Sequence, residues 1–343
     1  MRALVSACVR LMKLAIVGAF SGTHVGGSLL RAAATLRVET AAFDCANATR
    51  RGRVVRAVLW RFADRRPPRL DRFSAMVVAR CMEAPPDMLI ATGTAPLTAS
   101  ALRALRAAGV RCANYSTDDP WNPALRARWF LKALPEYDVV FSTRRANLDD
   151  LRRLGCRDVR YLPFGYDEFL FPADNEPATD LAPEVLFVGG ADRDRVGFVE
   201  EFVRCGPPLT LVGGYWERYP VSRPLTLGHQ PPEVLRSLTV AAKVNLCLVR
   251  RANRDGHVMR SFEIAALGGC MLVEDTDEHR EIFGPDGEAV LYFRTPHEAG
   301  HRARALLRDA SLCARLSRSV KARIRTGDHR YRDRLVAMIE AAG

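Results

Sequence analysis

Residues 255–275 read DGHVMRSFEIAALGGCMLVED, and this stretch indicates the fold of the chain. It has Asp255 in a loop, Arg260 and Glu263 in a helical pattern, and then a pair of glycines that ends the helix. The apolar run CMLV that follows predicts a buried strand. A loop, a helix, a glycine turn and a strand in this order form the repeating unit of a parallel α/β sheet.

The start of such a helix is a favourable place for an anionic ligand. Its unpaired backbone N–H groups and its dipole both attract negative charge. Asp255 would lie at the entrance of the helix and Glu263 on the helix itself. An amphipathic helix with ordinary surface charges is the alternative interpretation, so this segment alone predicts a candidate site and leaves its use open.

The same alternation of strands and helices runs through the N-terminal half. The residues after Met12 read KLAIVGAF, an apolar strand that ends in the turn SGTHVGG, and a helix is predicted next at Ser28–Leu36. Alternation of this kind predicts a parallel, doubly wound sheet. The further predicted strands are Val38–Phe43, Asp87–Ala91, Arg111–Ser116, Asp138–Ser142 and Val159–Leu162. The further predicted helices are Leu97–Ala108, Pro123–Ala133, Arg145–Leu154 and most of residues 48–80.

The pattern restarts in the second half, after residues 169–183, which are rich in proline and acids and are predicted to be a linker. We therefore predict an α/β chain of two Rossmann-like, doubly wound domains that face each other across a cleft, at residues 12–168 and 184–326. The last residues, 327–343, should form a helix that packs back on the N-terminal domain. Ligands in such sheets bind at the carboxyl ends of the strands. The strands predicted in this half are Glu184–Val188, Leu209–Val212, Val244–Leu248 and Ala289–Phe293, and the helices are Val196–Cys205 and Pro232–Leu238.

Charge and cysteine content restrict the class of protein. The 343 residues include 51 basic and 39 acidic side chains, a net charge of +12, which favours anionic partners. We predict no nucleic-acid partner, because no helix-turn-helix, zinc-finger or RNA-binding motif is recognisable. The nine cysteines are scattered, odd in number and without a C-x-x-C pair, which predicts a reducing compartment and a cytoplasmic protein.

Two segments bear on membranes. Residues 1–11 make a poor signal peptide, translation could equally start at Met12, and no apolar run approaches the ~18 residues of a membrane span. Residues 50–80 hold ten arginines against two acids, interleaved with apolar side chains. This composition predicts peripheral contact with the anionic inner face of the membrane, and a solvated charged helix is the alternative.

Several stretches resemble glycosyltransferases of the GT-B fold, in particular the CgeB-like (spore maturation protein-like) group, which is related to family 4 glycosyltransferases. The resemblance spans nearly the whole chain. In the first half it rests on PPDMLIATG, GVRCANYSTDDPW, YDVVFSTRRANLDDLRRLGC and VRYLPFGYDEFLFP. In the second half it rests on EVLFVGGADRDR, LTLVGG, VNLCLVR and RSFEIAALGGCMLVEDTDEHREIFGPDGEAVLYF.

The resemblance implies a nucleotide-sugar donor held mainly by the C-terminal domain and a glycan, lipid-linked or protein acceptor held mainly by the N-terminal domain. It implies no metal and no cofactor, because such enzymes neutralise the leaving diphosphate with side chains and helix dipoles. Related retaining enzymes carry an E-x7-E pair. Here the spacing survives as Asp255-x7-Glu263, with Asp in place of the first Glu, and Glu263 would hydrogen-bond the donor ribose.

Donor chemistry requires cations, because breaking a sugar–phosphate bond develops negative charge on the diphosphate. Arg195 and Arg260 are the preferred diphosphate contacts, since a guanidinium fork matches two phosphate oxygens. Arg250 and Arg193 are rivals for this role. The remaining predicted donor-binding residues are Gly22, Gly189, Gly190, Ser261 and Glu263.

The predicted catalytic residues are Asp118, Asp119, Asp255 and His24. Asp118 and Asp119 follow a strand, so either could orient or deprotonate an acceptor hydroxyl, and a helix cap or turn is the alternative. Related enzymes have a His-Asp pair near this place, and here an Asp holds the His position. His24, in the first strand-to-helix turn, would contact acceptor or donor phosphate, or be a solvated loop histidine.

Three functions fit these residues, and a fourth is disfavoured. The first is a metal-independent glycosyltransferase of cell-surface glycan synthesis, and the second is a nucleotide-sugar epimerase of the same fold. The third is a non-catalytic nucleotide- or glycan-binding protein, which the missing first Glu keeps open. An NAD-dependent oxidoreductase is disfavoured, because Gly18, Gly22 and Gly26 do not spell G-x-G-x-x-G.

Overall fold

The structure, a computed structural model, describes residues 12–49, 64–174 and 178–342. The chain forms two compact units. Of the described residues, the first unit takes those up to Pro163, Ala252–Arg254 and those from Tyr331 onward, and the second takes Phe164–Arg251 and Asp255–Arg330. Each unit contains one parallel sheet with its helices. The prediction of an α/β chain with two Rossmann-like sheets is confirmed.

The sheet of the first unit has the strand order β2-β1-β3-β4-β5-β6, with every neighbouring pair parallel. The first strand thus lies inside the sheet, between the second and the third. Its residues 14–17 are fully buried, as expected for a strand covered on both faces by helices. The strands are β1 Lys13–Gly18, β2 Glu39–Asp44, β3 Met88–Thr92, β4 Arg111–Ser116, β5 Val139–Ser142 and β6 Asp158–Tyr161.

The helices of this unit begin later or earlier than the apolar pattern predicts. They are α1 Val25–Leu36, α2 Ala46–Thr49, α3 Leu70–Glu83, α4 Ala99–Ala107, α5 Arg128–Ala133 and α6 Leu148–Arg153. The helix predicted from Pro123 starts only at Arg128, because the side chain of Asn122 accepts the Ala124 N–H (2.9 Å) and holds a turn there. The helix predicted from Arg145 opens with one 3₁₀ turn before α6.

The sheet of the second unit has the order β11-β10-β9-β7-β8, again with parallel pairs throughout. The strands are β7 Val185–Val188, β8 Leu209–Val212, β9 Val244–Cys247, β10 Met271–Glu274 and β11 Leu291–Phe293. The helices are α7 Arg193–Cys205, α8 Pro232–Ala241, α9 Met259–Leu267, α10 Asp277–Phe283, α11 Pro296–Arg308 and α12 Ala310–Thr326. The chain runs from β7 outward to β8 and then returns past β7 to β9, so the winding direction reverses between β7 and β9.

The last helix, α13 Tyr331–Ala342, belongs to the first unit and packs on α1. Leu335 and Met338 are fully buried, and Arg334 donates to the Pro163 carbonyl (2.7 Å). This helix therefore completes the core of the unit in which the chain began.

Two further properties concern the described residues. None of their helices is both long and apolar enough to pass through a membrane. Their eight cysteines are all free thiols and five of them are buried. Residues 1–11 and 50–63, on which predictions about the chain start and the basic segment rest, lie outside the described part.

Candidate functional site

The reversal between β7 and β9 lies at the edge of the second sheet where four of the predicted donor residues follow the strand ends: Gly189, Gly190, Arg195 and Arg250. β7 leads into Gly189 and Gly190, and β9 leads into residues 248–250. Crossovers leave the sheet in opposite directions at this point, so a crevice opens outside the strand ends, where ligands of open α/β sheets bind. The sequence predicts Arg195 and Arg250 as candidate phosphate contacts. The strand order explains why they lie close together, because β7 and β9 are neighbours in the sheet.

Arg195 connects the loops that follow β7 and β9 at this edge. Asp192 caps α7 by accepting the Arg195 backbone N–H (3.0 Å), and the Arg195 guanidinium turns back to donate to the carbonyls of Gly190 (3.3 Å) and Leu248 (3.1 Å). The residue is only 7% exposed. Burial, and then the nearby charge of Arg250, lower the pKa of the Arg195 guanidinium. Arg195 therefore ties the turn after β7 to the end of β9.

Arg250 is the more accessible cation of the pair. Its side chain is 35% exposed, and its Nε donates to Asp192 (3.3 Å). The Asp255 carboxylate accepts the Arg250 backbone N–H, and the Asp255 N–H returns a bond to the Arg250 carbonyl (both 3.3 Å). The predicted sugar-side acid and this guanidinium thus lie together at the switch point. Asp192, which sequence reasoning missed, is recognisable as an acid three residues before Arg195, the spacing of a helix cap.

Arg260 and Glu263, predicted to hold diphosphate and ribose, are paired with each other on α9. Glu263 is 3% exposed. Burial raises the pKa of its carboxyl group, and the charge and hydrogen bond of Arg260 oppose that rise. A ligand that used both groups as predicted would have to exchange this ion pair for contacts of its own.

Ser261, also predicted to bind the donor, is fully buried at the start of α9. Its hydroxyl accepts the Val258 N–H (3.1 Å) and lies 2.8 Å from His279 Nε2. The other ring nitrogen of His279 faces the Glu274 carbonyl (2.8 Å), which can only accept, so Nδ1 carries the proton and Ser261 donates to Nε2. Burial lowers the pKa of His279 to about 4, which keeps the ring neutral. Ser261 therefore fixes the helix start.

His257 fixes the loop that leads into α9. Its Nε2 accepts the Phe164 N–H (3.1 Å), so Nδ1 carries the proton and donates to Glu278 (2.6 Å). A side chain on Gly256 would overlap the Glu278 carboxyl group, which explains the glycine. Sequence reasoning missed this cluster. Two polar motifs at helix starts could have indicated it, DGHV before α9 and TDEH at the start of α10.

Asp119, in the first unit, is buried, and both of its carboxylate oxygens accept hydrogen bonds. Arg254 grips it with two bonds, Nε–Oδ2 of 2.6 Å and Nη2–Oδ1 of 3.0 Å, while Asn147 (2.8 Å) and the Trp121 N–H (2.9 Å) donate to Oδ1. Burial raises the pKa of the Asp119 carboxyl, but these hydrogen bonds outweigh burial and the net pKa is lowered. Asp119 is therefore an anchor for residues 252–254.

Asp118 is half-buried and more available than Asp119. Its carboxylate accepts from Asn253 (3.3 Å). Of the two acids, Asp118 has the environment of a group that could take a proton from an acceptor hydroxyl.

His24 and Gly22 lie in the turn between β1 and α1, at the corresponding edge of the first sheet. His24 precedes α1 and is exposed, with no side-chain capping bond. Gly22 has φ +56° with open space around its Cα, and Gly26 packs against the Ala19 backbone too closely for a side chain. The turn holds the helix tight on the strand, and its outer side is accessible.

The described part of the basic segment uses much of its charge internally. Arg65 donates to the carbonyls of Pro123, Ala124 and Arg126 (2.7, 3.0 and 2.6 Å). Arg66 pairs with Asp71. The membrane contact of residues 50–80 stays a prediction, because residues 50–63 lie outside the described part.

Comparison with known protein families gives one match, which lies mainly in the second unit. Residues 194–340 match the family model described as "Glycosyl transferase-like". No curated protein matches the sequence. In the part of the chain that the structure describes, no group of three or more His, Cys, Asp or Glu side chains is arranged to hold a metal ion.

Solved structures resemble the chain over almost its full length. Anabaena Alr3699/HepE in complex with UDP-glucose aligns with a TM-score of 0.64 at 14% identity, covering 97% of this chain and 100% of that one. The sucrose-phosphate synthase (tll1590) of Thermosynechococcus elongatus gives 0.62 at 15%, covering 96% and 98%. A Listeria monocytogenes protein described as a UDP-N-acetylglucosamine 2-epimerase gives 0.57 at 12%, covering 96% and 95%. The chain therefore has the GT-B fold, as predicted.

Proposed function

We propose that this protein is a metal-independent glycosyltransferase of the CgeB-like group, which moves a sugar from a nucleotide-sugar donor to a glycan, lipid-linked or protein acceptor in cell-surface glycan synthesis. The observation that carries the proposal is the accessible Arg250 guanidinium at the switch point of the second sheet, held by Asp192 beside the Gly189–Gly190 turn. The glycosyl transferase-like family model covers the second unit from residue 194 onward, and the Anabaena structure with the same fold holds UDP-glucose.

In the proposed reaction the second unit stabilises the departing diphosphate. Negative charge grows on the phosphate as the sugar–phosphate bond breaks, and Arg250 and the N-terminal end of α9 are preplaced to receive it. Arg195 and Asp192 keep that edge rigid, which avoids reorganisation during the reaction. Asp118 of the first unit accepts the proton of the acceptor hydroxyl.

Arg250→Ala tests the donor site. We expect at least one nucleotide sugar in a panel to be hydrolysed or transferred by the wild-type protein, and kcat/KM to fall by about 100-fold in the variant, because one preorganised charge on the leaving group is lost. Arg204→Ala, an exposed arginine at the far end of α7, is the matched control and should keep wild-type activity. Equal activity of the two variants would remove Arg250 from the donor site.

A nucleotide-sugar epimerase is the second candidate, because the Listeria protein described as an epimerase has the same fold over 96% of this chain. The two activities differ in their products. An epimerase releases the epimer with no acceptor present, and a transferase makes a new glycoside only when an acceptor is added. Nucleotide binding with neither product would instead support a non-catalytic binding protein.

Peripheral contact with the inner membrane face is part of the proposal and concerns residues 50–80. Sedimentation with vesicles of anionic phospholipid, compared with vesicles of neutral phosphatidylcholine, measures it directly. Binding should weaken as salt is raised, because the attraction is electrostatic.

A further inference from the structure

Tyr215 occupies an unusual place at the carboxyl end of β8. It follows Gly213 and Gly214, its φ is +74°, and it is 53% exposed. A bulky side chain on left-handed backbone is costly, and an exposed ring gains no core packing in return. Strain of this kind collects at ligand sites, where the surrounding structure imposes it.

The neighbours of Tyr215 fasten it to the turn after β7. The Gly214 carbonyl accepts the Ala191 N–H (2.9 Å), and the buried Trp216 donates its indole N–H to the Gly189 carbonyl (2.7 Å). A side chain on Gly213 would overlap that same carbonyl. The backbone at Tyr215 is therefore held beside the glycine turn of the proposed diphosphate site.

The ring has the form of a stacking surface. The Arg218 guanidinium lies 4.3 Å from the ring centroid, a cation–π contact that orients the ring. More than half of the residue is left exposed. Aromatic side chains of this kind hold nucleobases by their flat faces.

The two directions along the sheet edge differ in the side chains that they offer to a base. On one side of the switch point, β10 ends in Glu274 and Asp275, whose carboxylates pair with Arg251 and Arg280. On the other side, β8 ends in two glycines and Tyr215. A base attached to phosphates at Arg250 would thus meet paired charges toward β10 and an exposed aromatic ring toward β8.

We propose that Tyr215 is the platform on which the base of the nucleoside diphosphate stacks, and so a specificity-determining residue of the donor site. The inference rests on the proposed function, because it takes the phosphates to lie at the switch point. A stacked base gains affinity through its face, so removing the ring should weaken nucleotides and spare a ligand that has no base.

Calorimetric titration of UDP, GDP, ADP and inorganic pyrophosphate into wild-type protein and three variants tests the proposal. Tyr215→Gly should weaken the best-bound nucleoside diphosphate by about 10-fold and leave pyrophosphate binding unchanged. Tyr215→Phe keeps a ring and should bind as wild type. Val203→Ala, an exposed apolar residue near the far end of α7, is the control.

Tyr215→Gly also separates binding from folding. Glycine adopts positive φ without penalty, so the midpoint of thermal unfolding should stay equal or rise while nucleotide affinity falls. An unchanged nucleoside diphosphate Kd in Tyr215→Gly, or an equal loss for pyrophosphate, would overturn the stacking role. Wild-type protein that binds pyrophosphate and none of the nucleotides would also overturn it, and wild-type protein that binds neither would overturn the proposed function itself.

Discussion

Asp118 and Asp119 show how neighbouring residues of one type acquire different roles. Both are acids after a strand, and the sequence predicts a catalytic role for either. Asp119 receives two bonds from Arg254 and one each from Asn147 and Trp121, whereas Asp118 is half-buried beside Asn253. This difference depends on residues far apart in the chain, so no local pattern could reveal it.

Asn substitutions at the two positions should separate catalysis from stability. Asp118→Asn should lower kcat by about 100-fold with an unchanged unfolding midpoint, because a general base is lost. Asp119→Asn should instead lower the free energy of unfolding by about 1–2 kcal/mol, a value reduced for the partly exposed Arg254 partner. Enzyme assays and urea unfolding of both variants measure this, and the reverse pattern would contradict it.

At the scale of elements, the strands were predicted well because many buried parallel strands are short apolar runs, as in β7 and β8. Helix starts were predicted less well. The turn held by Asn122 delays the start of α5. The Asp192 cap starts α7 at Arg193, three residues before the predicted start at Val196, because side-chain capping bonds decide where a helix begins. The candidate site residues on α9 were placed on the right helix, but the pairing of Arg260 with Glu263 depends on side-chain conformation and burial, which the local sequence does not determine.

The start of α9 should be sensitive to acid through His279. Its pKa is lowered by burial to about 4 from 6.5, so the unfolded chain binds its proton first as pH falls. The stability contributed by the neutral ring is complete above pH 6.5 and is lost between pH 6.5 and 4, at up to about 1.4 kcal/mol per pH unit. Urea unfolding across this range should show a shallower pH dependence for His279→Gln than for wild type.

The matched control for this measurement is His297→Gln, on the exposed surface of α11. Its pH profile should follow that of the wild-type protein. A His279→Gln profile parallel to the wild-type profile would show that His279 does not titrate with folding.

At the scale of the molecule, the strand–helix alternation was sufficient to predict two α/β sheets, because each strand–helix unit is encoded locally. Assignment of residues 252–254 and of α13 to the first unit depends on contacts between residues far apart in the chain, such as Arg254 with Asp119 and Arg334 with Pro163. Of these two assignments, the sequence predicted the one for the last helix and gave no indication of the one for residues 252–254.

Leu335→Ala tests the contribution of α13 to the first unit. Leu335 is fully buried where α13 packs on α1, so truncation should lower the free energy of unfolding by about 2–5 kcal/mol. Glu340→Ala, an exposed position on the same helix, should have little effect. Equal unfolding midpoints for the two variants would show that α13 adds nothing to the core.

The division of the chain has a consequence for protein dissection. The backbone passes from one unit to the other after Pro163, Arg251, Arg254 and Arg330. A fragment ending at Pro163 would lack both α13 and Arg254, which neutralises Asp119. The complementary fragment would contain α13 without the helix on which it packs. We therefore expect that neither fragment folds independently. A protein cleaved by a protease near residue 163 should retain activity only while its two pieces stay associated.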